Sequence, residues 1–315
     1  MKDNFFKKEV YPLQENGVVL FGIFYLCTLF LAALLAPVLF YVTKFLTNRF
    51  SAELFQHFIG KGFGKFFNRA QLVSLVILLF PFLKICNIRS SKDIWLIKIP
   101  KRKILSTFII GFIFTYVVFV WLAFHNVFTF TPVAAKVYFL NLFKFIIGAI
   151  AIGFLEEVIF RGIIFNLFSR NLNRAYSILL TSLFFAYCHG GTGNHLKFDV
   201  TDVTIFSGFR CVIPTIISIW NGFNPLNFLN LTVFGILLSL LLLKNKSLLS
   251  PMAFHVGVVL ALMNIRSFTN VISSVNGQHY TIGILDTWLS FSLQALAILC
   301  LIFTKKRKEQ TIYKN

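Results

Sequence analysis

The chain has 315 residues, 57% hydrophobic and 13% charged, with a mean hydropathy of +0.79 and a formal net charge of +19. A soluble core cannot hide that much apolar surface, so composition excludes a soluble globular protein. It also argues against a nucleic-acid partner. The 30 Lys and Arg, against 11 Asp and Glu, gather between and after apolar runs, as in Lys98-Ile-Pro-Lys101-Arg-Lys103 and Lys305-Lys-Arg-Lys308, the pattern of loop anchors beside anionic lipid.

In chain order, apolar runs at about Gly17–Val42, Leu72–Cys86, Ile104–Phe124, Tyr138–Phe168, Tyr176–His189, Leu226–Leu243, Leu248–Met263 and Leu285–Phe303 approach or exceed the ~20 residues that cross a bilayer as a helix. None alternates polar with apolar positions, so a transmembrane β-barrel is not indicated. The expected fold is all-α, a polytopic transmembrane bundle of about eight spans, with residues 1–315 forming one integral membrane domain. Leu46–Ala70 mixes Phe with Lys, Arg and Gly and reads as interfacial, while Val203–Trp220, with Arg210 and Pro214, reads as re-entrant. Met1–Glu15 is too polar for a cleavable signal peptide, so the first run reads as a retained helix. Basic loops at Arg89–Lys103, Arg170–Arg174, Lys244–Lys246 and the C-terminal cluster put both termini in the cytoplasm, although the basic segment Thr43–Ala70 then falls outside. Cys27, Cys86, Cys188, Cys211 and Cys300 are scattered with no C-x-x-C pair, which indicates neither a disulfide framework nor a zinc ribbon. Forty-one Phe with abundant Lys and Asn point to an AT-rich bacterial genome, hence to a bacterial cytoplasmic membrane.

Three motifs carry polar chemistry into these spans. The first is Glu156-Glu157-Val-Ile-Phe-Arg161, inside an apolar run where ionisable residues are expensive and usually functional. At about 100° per residue, Glu157 and Arg161 share a face and can pair, while Glu156 points away and is the carboxylate available for chemistry. Ala149, Gly153 and Glu157 share a face that admits a close neighbour. The bland reading is an internal ion pair that only fixes helix packing. The second motif is Phe185-Ala-Tyr-Cys-His189, followed by Gly190-Gly191. The third is His255 in Ser250-Pro-Met-Ala-Phe-His255. A lone membrane His is often a hydrogen-bonded packing residue. Depth argues otherwise here, since Glu156, His189 and His255 lie about 18, 20 and 10 Å in from their cytoplasmic helix ends.

Glu-Glu-x-x-x-Arg, then Phe-x-x-x-His, then a His in a later helix resembles the ordered signature of the CAAX protease and bacteriocin-processing family, intramembrane glutamic proteases also called Abi or type II CAAX endopeptidases. Leu155–Phe165 is similar to the family's first motif nearly residue for residue, and Gly235-Ile-Leu-Leu-Ser through His255 resembles its third-motif region. The resemblance covers about Phe143–Met263. It implies a metal-independent endopeptidase without cofactor, acting on a membrane-bound or lipidated peptide or protein near the cytoplasmic leaflet. Glu156 and His189 would activate water, Glu157 and Arg161 would form an orienting pair, and His255 would donate to the oxyanion. A carboxylate withdrawn from water is a stronger base, which suits that role.

The chain departs from the family at Val259, four residues after His255, where Asn or Asp is common. Asn264 lies about two and a half turns beyond His255, too far to substitute. Val259 favours an alternative, a non-proteolytic relative acting in lipoprotein modification, immunity or as a membrane scaffold. A zinc site of Glu156, His189 and His255 has plausible number and type of ligands, but His-Glu-x-x-His is absent. A transporter would be expected to show internal repeats, and none is found. The long segment Gly190–Leu226 reads as a substrate-recognition or lid element.

Overall fold

The computed structural model describes residues 16–50, 62–190, 203–217, 224–271, 274–275, 278–279 and 287–312. In chain order the helices are α1 (Gly17–Phe50), α2 (Phe63–Ile85), α3 (Lys101–Phe124) and α4 (Ala135–Glu157), which runs through a π-helical segment (Val158–Ile164) into α5 (Phe165–Asn171). Then follow α6 (Arg174–Gly190), α7 (Ser207–Ile217), α8 (Pro225–Asn245), α9 (Leu249–Arg266) and α10 (Trp288–Ile312). Short strands β1 (Phe128–Phe130) and β2 (Thr269–Val271) pair antiparallel, with Thr129 opposite Asn270. The fold is all-α and polytopic, as composition requires.

Among the described residues, six helical stretches are long and apolar enough to cross a membrane. The expected count of about eight also included α6, of which 17 residues are described, and the apolar part of α10, Trp288–Ile302, which is apolar but short. The segment expected to be re-entrant contains α7, an 11-residue helix around Pro214. Residues 51–61 of the expected interfacial segment lie outside the described residues, as does the N-terminus through Glu15.

The chain divides into two compact units. The first, Met1–Arg89 with Tyr187–Asn224, contains α1, α2 and α7. Leu29, Ala33, Ala36 and Phe40 of α1 recur every three or four residues and, with Ala32, pack on Phe63, Phe66, Phe67 and Ala70 of α2. The alanines among them let backbones approach, as apolar solvent requires when no hydrophobic drive brings helices together. Gly208 of α7 lies directly on the Ala33 carbonyl, where a Cβ would overlap it.

The second unit, Ser90–Ala186 with Pro225–Asn315, is organised around α9. Gly257 of α9 faces α3 so closely that a Cβ would overlap the Phe108 carbonyl oxygen. A polar network ties three helices together: the Tyr116 hydroxyl of α3 donates to Asn264 Oδ1 of α9 (2.5 Å), and Asn264 Nδ2 donates to the Tyr138 hydroxyl of α4 (2.7 Å). At the other end of α9, the loop before α3 is fastened. Leu248 N–H donates to the Trp95 carbonyl (2.8 Å) and Asn166 Nδ2 to that of Asp93 (2.6 Å). Trp95 and Leu96 pack against Phe165, Leu242, Leu248 and Met252.

Candidate functional site

Glu156 and Glu157 end α4, and Arg161 lies in the π-helical segment that follows. A π turn is an uncommon local geometry found often at functional sites. The i,i+4 pair expected from sequence is present: Arg161 Nη1 donates to Glu157 Oε1 at 2.8 Å, with both side chains fully buried. Glu156 is placed differently, with 25% of its side chain exposed.

Sequence reasoning missed the second partner of Glu157. His255 Nδ1 of α9 lies 2.9 Å from the same Oε1 atom, and His255 Nε2 is 3.7 Å from Glu156 Oε2. The imidazole therefore stands between the two carboxylates, one nitrogen toward each. What brings α9 to α4 is the small-residue face read from sequence. Ala149, Gly153 and Glu157 are all buried, and a Cβ on Gly153 would stand 2.7 Å from Val256 Cγ2 of α9.

The cluster is enclosed by aromatic rings. Phe185 of α6 and Phe234 of α8 meet the His255 ring nearly edge-on, with centroids 6.2 and 5.4 Å away. The Arg161 guanidinium lies 4.6 Å from the Phe185 ring centroid, and its Nη2 donates to the Gly235 carbonyl at 3.2 Å. Cation–ring attraction is stronger away from water, which suits a guanidinium with no solvent contact. Both anchors had a trace in the sequence: Phe185 opens the Phe-x-x-x-His motif, and Gly235 opens the third-motif region. Among the described residues, Glu157 Oε2 and Arg161 Nε are buried without a hydrogen-bond partner. Such atoms are costly in a low dielectric, so function rather than stability accounts best for this many polar groups here.

His189 is half-buried in the last turn of α6 and belongs to the first unit. The structure thus gathers Glu156, Glu157, Arg161 and His255 in one unit and describes His189 with the other. Tyr187, two residues earlier, donates its hydroxyl to the Ile216 carbonyl of α7 (2.8 Å) and meets the Tyr25 hydroxyl of α1 at 3.4 Å. The turn carrying His189 is therefore held by α7 and α1.

Val259 is half-buried one turn beyond His255 and offers no donor. Asn264 is engaged with Tyr116 and Tyr138. Asn230 of α8 gives its N–H groups to the carbonyls of Leu226 (2.9 Å) and Thr287 (3.3 Å). The glycines that follow Gly190 lie outside the described residues. Among the described residues no three His, Cys, Asp or Glu side chains converge as a metal ion would need.

No curated protein and no solved structure matches the chain. Residues 138–261 match the family model Rce1-like, described as type II CAAX prenyl endopeptidase Rce1-like. That span contains Glu156, Glu157, Arg161, His189 and His255, so the segment that carries the three motifs is the one similar to the type II CAAX endopeptidase family.

Proposed function

We propose that this chain is a membrane-embedded endopeptidase of the CAAX-protease type, in which Glu156 and His189 activate water without a metal and His255 stabilises the oxyanion. Its substrate is a membrane-bound or lipidated peptide or protein, cleaved near the cytoplasmic leaflet. The observation that carries this reading is the buried Glu157–Arg161–His255 cluster, with His255 Nε2 turned to Glu156 Oε2 at 3.7 Å. Glu157 holds one imidazole nitrogen and so aims the other toward the carboxylate that acts. In the protonated ring both nitrogens donate, one to Glu157 and one toward the reacting carbonyl oxygen.

Glu156 takes a proton from water as the water oxygen bonds to the scissile carbonyl carbon. The carbonyl electron pair moves to oxygen, where His255 Nε2–H meets it. On collapse the C–N bond breaks, and the proton held by Glu156 passes to the leaving amine. The role of His189 rests on the motif order Phe185-x-x-x-His189.

A second reading, a non-proteolytic relative using the same cluster, is favoured by Val259 and by the engagement of Asn230 and Asn264 elsewhere. One experiment separates them. The protein is reconstituted in vesicles with a peptide ending in a lipidated Cys and with its unlipidated counterpart, as wild type, Glu156→Gln and His189→Ala. Cleavage by wild type and its loss in both variants at equal folded yield is expected. A wild type that cleaves neither peptide, while Glu156 and His255 stay essential in cells, would withdraw the peptidase reading.

A further inference from the structure

Between α3, α4 and α9 runs an apolar groove of about 390 Å³, lined by Lys101, Ile104, Leu105 and Phe108 of α3, Phe154 of α4 and Val256 of α9 among others. Among the described residues Lys101 is its only charged lining residue; it is the first residue of α3 and so marks one end of the groove, its mouth, about 10 Å along the helix from Phe108. Leu105 and Phe154 are 59% and 46% exposed. The groove lies wholly within the second unit.

The mouth has an electrostatic anomaly. A helix N-terminus carries partial positive charge and favours anions. The first turn of α3 instead holds Lys101, Arg102 and Lys103, with no acidic residue and no side-chain cap from Pro100. Lys98 lies just before it. Among the described residues, none of these four is in an ion pair with an acidic side chain. The cations and the helix end repel one another unless an external anion sits among them.

We propose that this groove is a binding site for an anionic phospholipid, its phosphate held by Lys101–Lys103 at the helix end and an acyl chain laid along Ile104, Leu105 and Phe108. A soluble anion would satisfy the mouth and leave the groove empty. A zwitterionic lipid would fill the groove and leave the net positive charge of the mouth. Only a lipid with net negative headgroup charge answers both. Such a chain would cover the contact of Gly153 with Val256, behind Glu157 and His255.

The test reads lipid retention, so it stands apart from the peptidase reading. Purified protein is exchanged into neutral detergent with equal phosphatidylglycerol and phosphatidylcholine of the same chains, and bound lipid is counted by native mass spectrometry. Phosphatidylglycerol is expected to dominate. Lys101→Gln and Arg102→Gln should each lower its advantage about fivefold, the effect of one basic residue near an anionic surface. Leu105→Trp, which fills the groove, should lower retention of both lipids, and glycerol phosphate should displace neither. Equal retention of the two lipids by wild type, displacement by glycerol phosphate, or unchanged retention in Leu105→Trp would overturn the proposal. Should a variant fail to fold, the wild-type ratio alone decides.

Discussion

Glu157 and His255 are 98 residues apart in sequence, and their side chains meet at 2.9 Å, carboxylate oxygen to imidazole nitrogen. Because Arg161 binds the same oxygen, Glu157 is the shared counter-charge of two cationic or ionisable groups from two helices. Its removal should therefore be felt as a loss of structure before a loss of chemistry.

The first prediction follows. Glu157→Gln and Arg161→Met should each destabilise by about 3–5 kcal/mol, since either leaves a buried charge without its partner. The double variant should recover part of that loss, because both charges are gone. Glu156→Gln, at a partly exposed position, should leave stability within about 0.5 kcal/mol. Thermal unfolding of the four variants in detergent measures this cycle, and full additivity of the two single losses would contradict it.

Helix contact predicts a second result. A Cβ at Gly257 would overlap the Phe108 carbonyl and lie 2.9 Å from Phe112 N, so Gly257→Ala must push α3 and α9 apart. Overpacking of this kind costs typically about 1–3 kcal/mol, and the shift would carry His255 with it. Gly22→Ala in α1 is the control, with nothing within 4 Å of the added carbon. The expected outcome is a lowered melting temperature for Gly257→Ala and an unchanged or raised one for Gly22→Ala.

Val259 sets a third. On a helix it lies one turn past His255 and close to the same face, with no hydrogen bond to offer. Loss of one oxyanion donor in other enzymes costs on the order of 10²–10³ in rate. Wild-type cleavage should therefore be slow, and Val259→Asn should raise kcat by up to that order with the cleavage site unchanged. Product mapping and initial rates check it, and a variant no faster than wild type would show that another donor serves the oxyanion.

Metal removal gives the fourth. If a Glu-His pair activates water by proton transfer alone, activity should survive dialysis against a strong chelator, with no stoichiometric zinc by elemental mass spectrometry. Zinc whose loss tracks the loss of activity would instead make it the Lewis acid of the reaction.

Much of this protein was legible in the sequence because the deciding effects were local or compositional. Run length against bilayer thickness located the long spans, with boundaries altered chiefly at the end of α1, read to Val42 and running to Phe50, and at the start of α2, read from Leu72 and beginning at Phe63. The spacing of Glu157 and Arg161 predicted their ion pair, since four residues bring side chains to one helix face. The order of three motifs pointed to the family that residues 138–261 match. One local feature was not legible: the π-helical segment Val158–Ile164 has no signature in run length.

What only the tertiary structure decided is which faces meet. The spans are apolar nearly all round, as helices in lipid are, so no hydrophobic stripe tells which side of α9 turns to α4. Closest approach at glycines, as at Gly153 with Val256 and Gly235 with Ser182, selects the pairing instead. Glu157 thereby gains His255, Arg161 gains the Phe185 ring and the Gly235 carbonyl, and Asn264 is committed to two tyrosines. Sequence periodicity determined which side chains share a helix face; close packing between helices in an apolar solvent determined their partners.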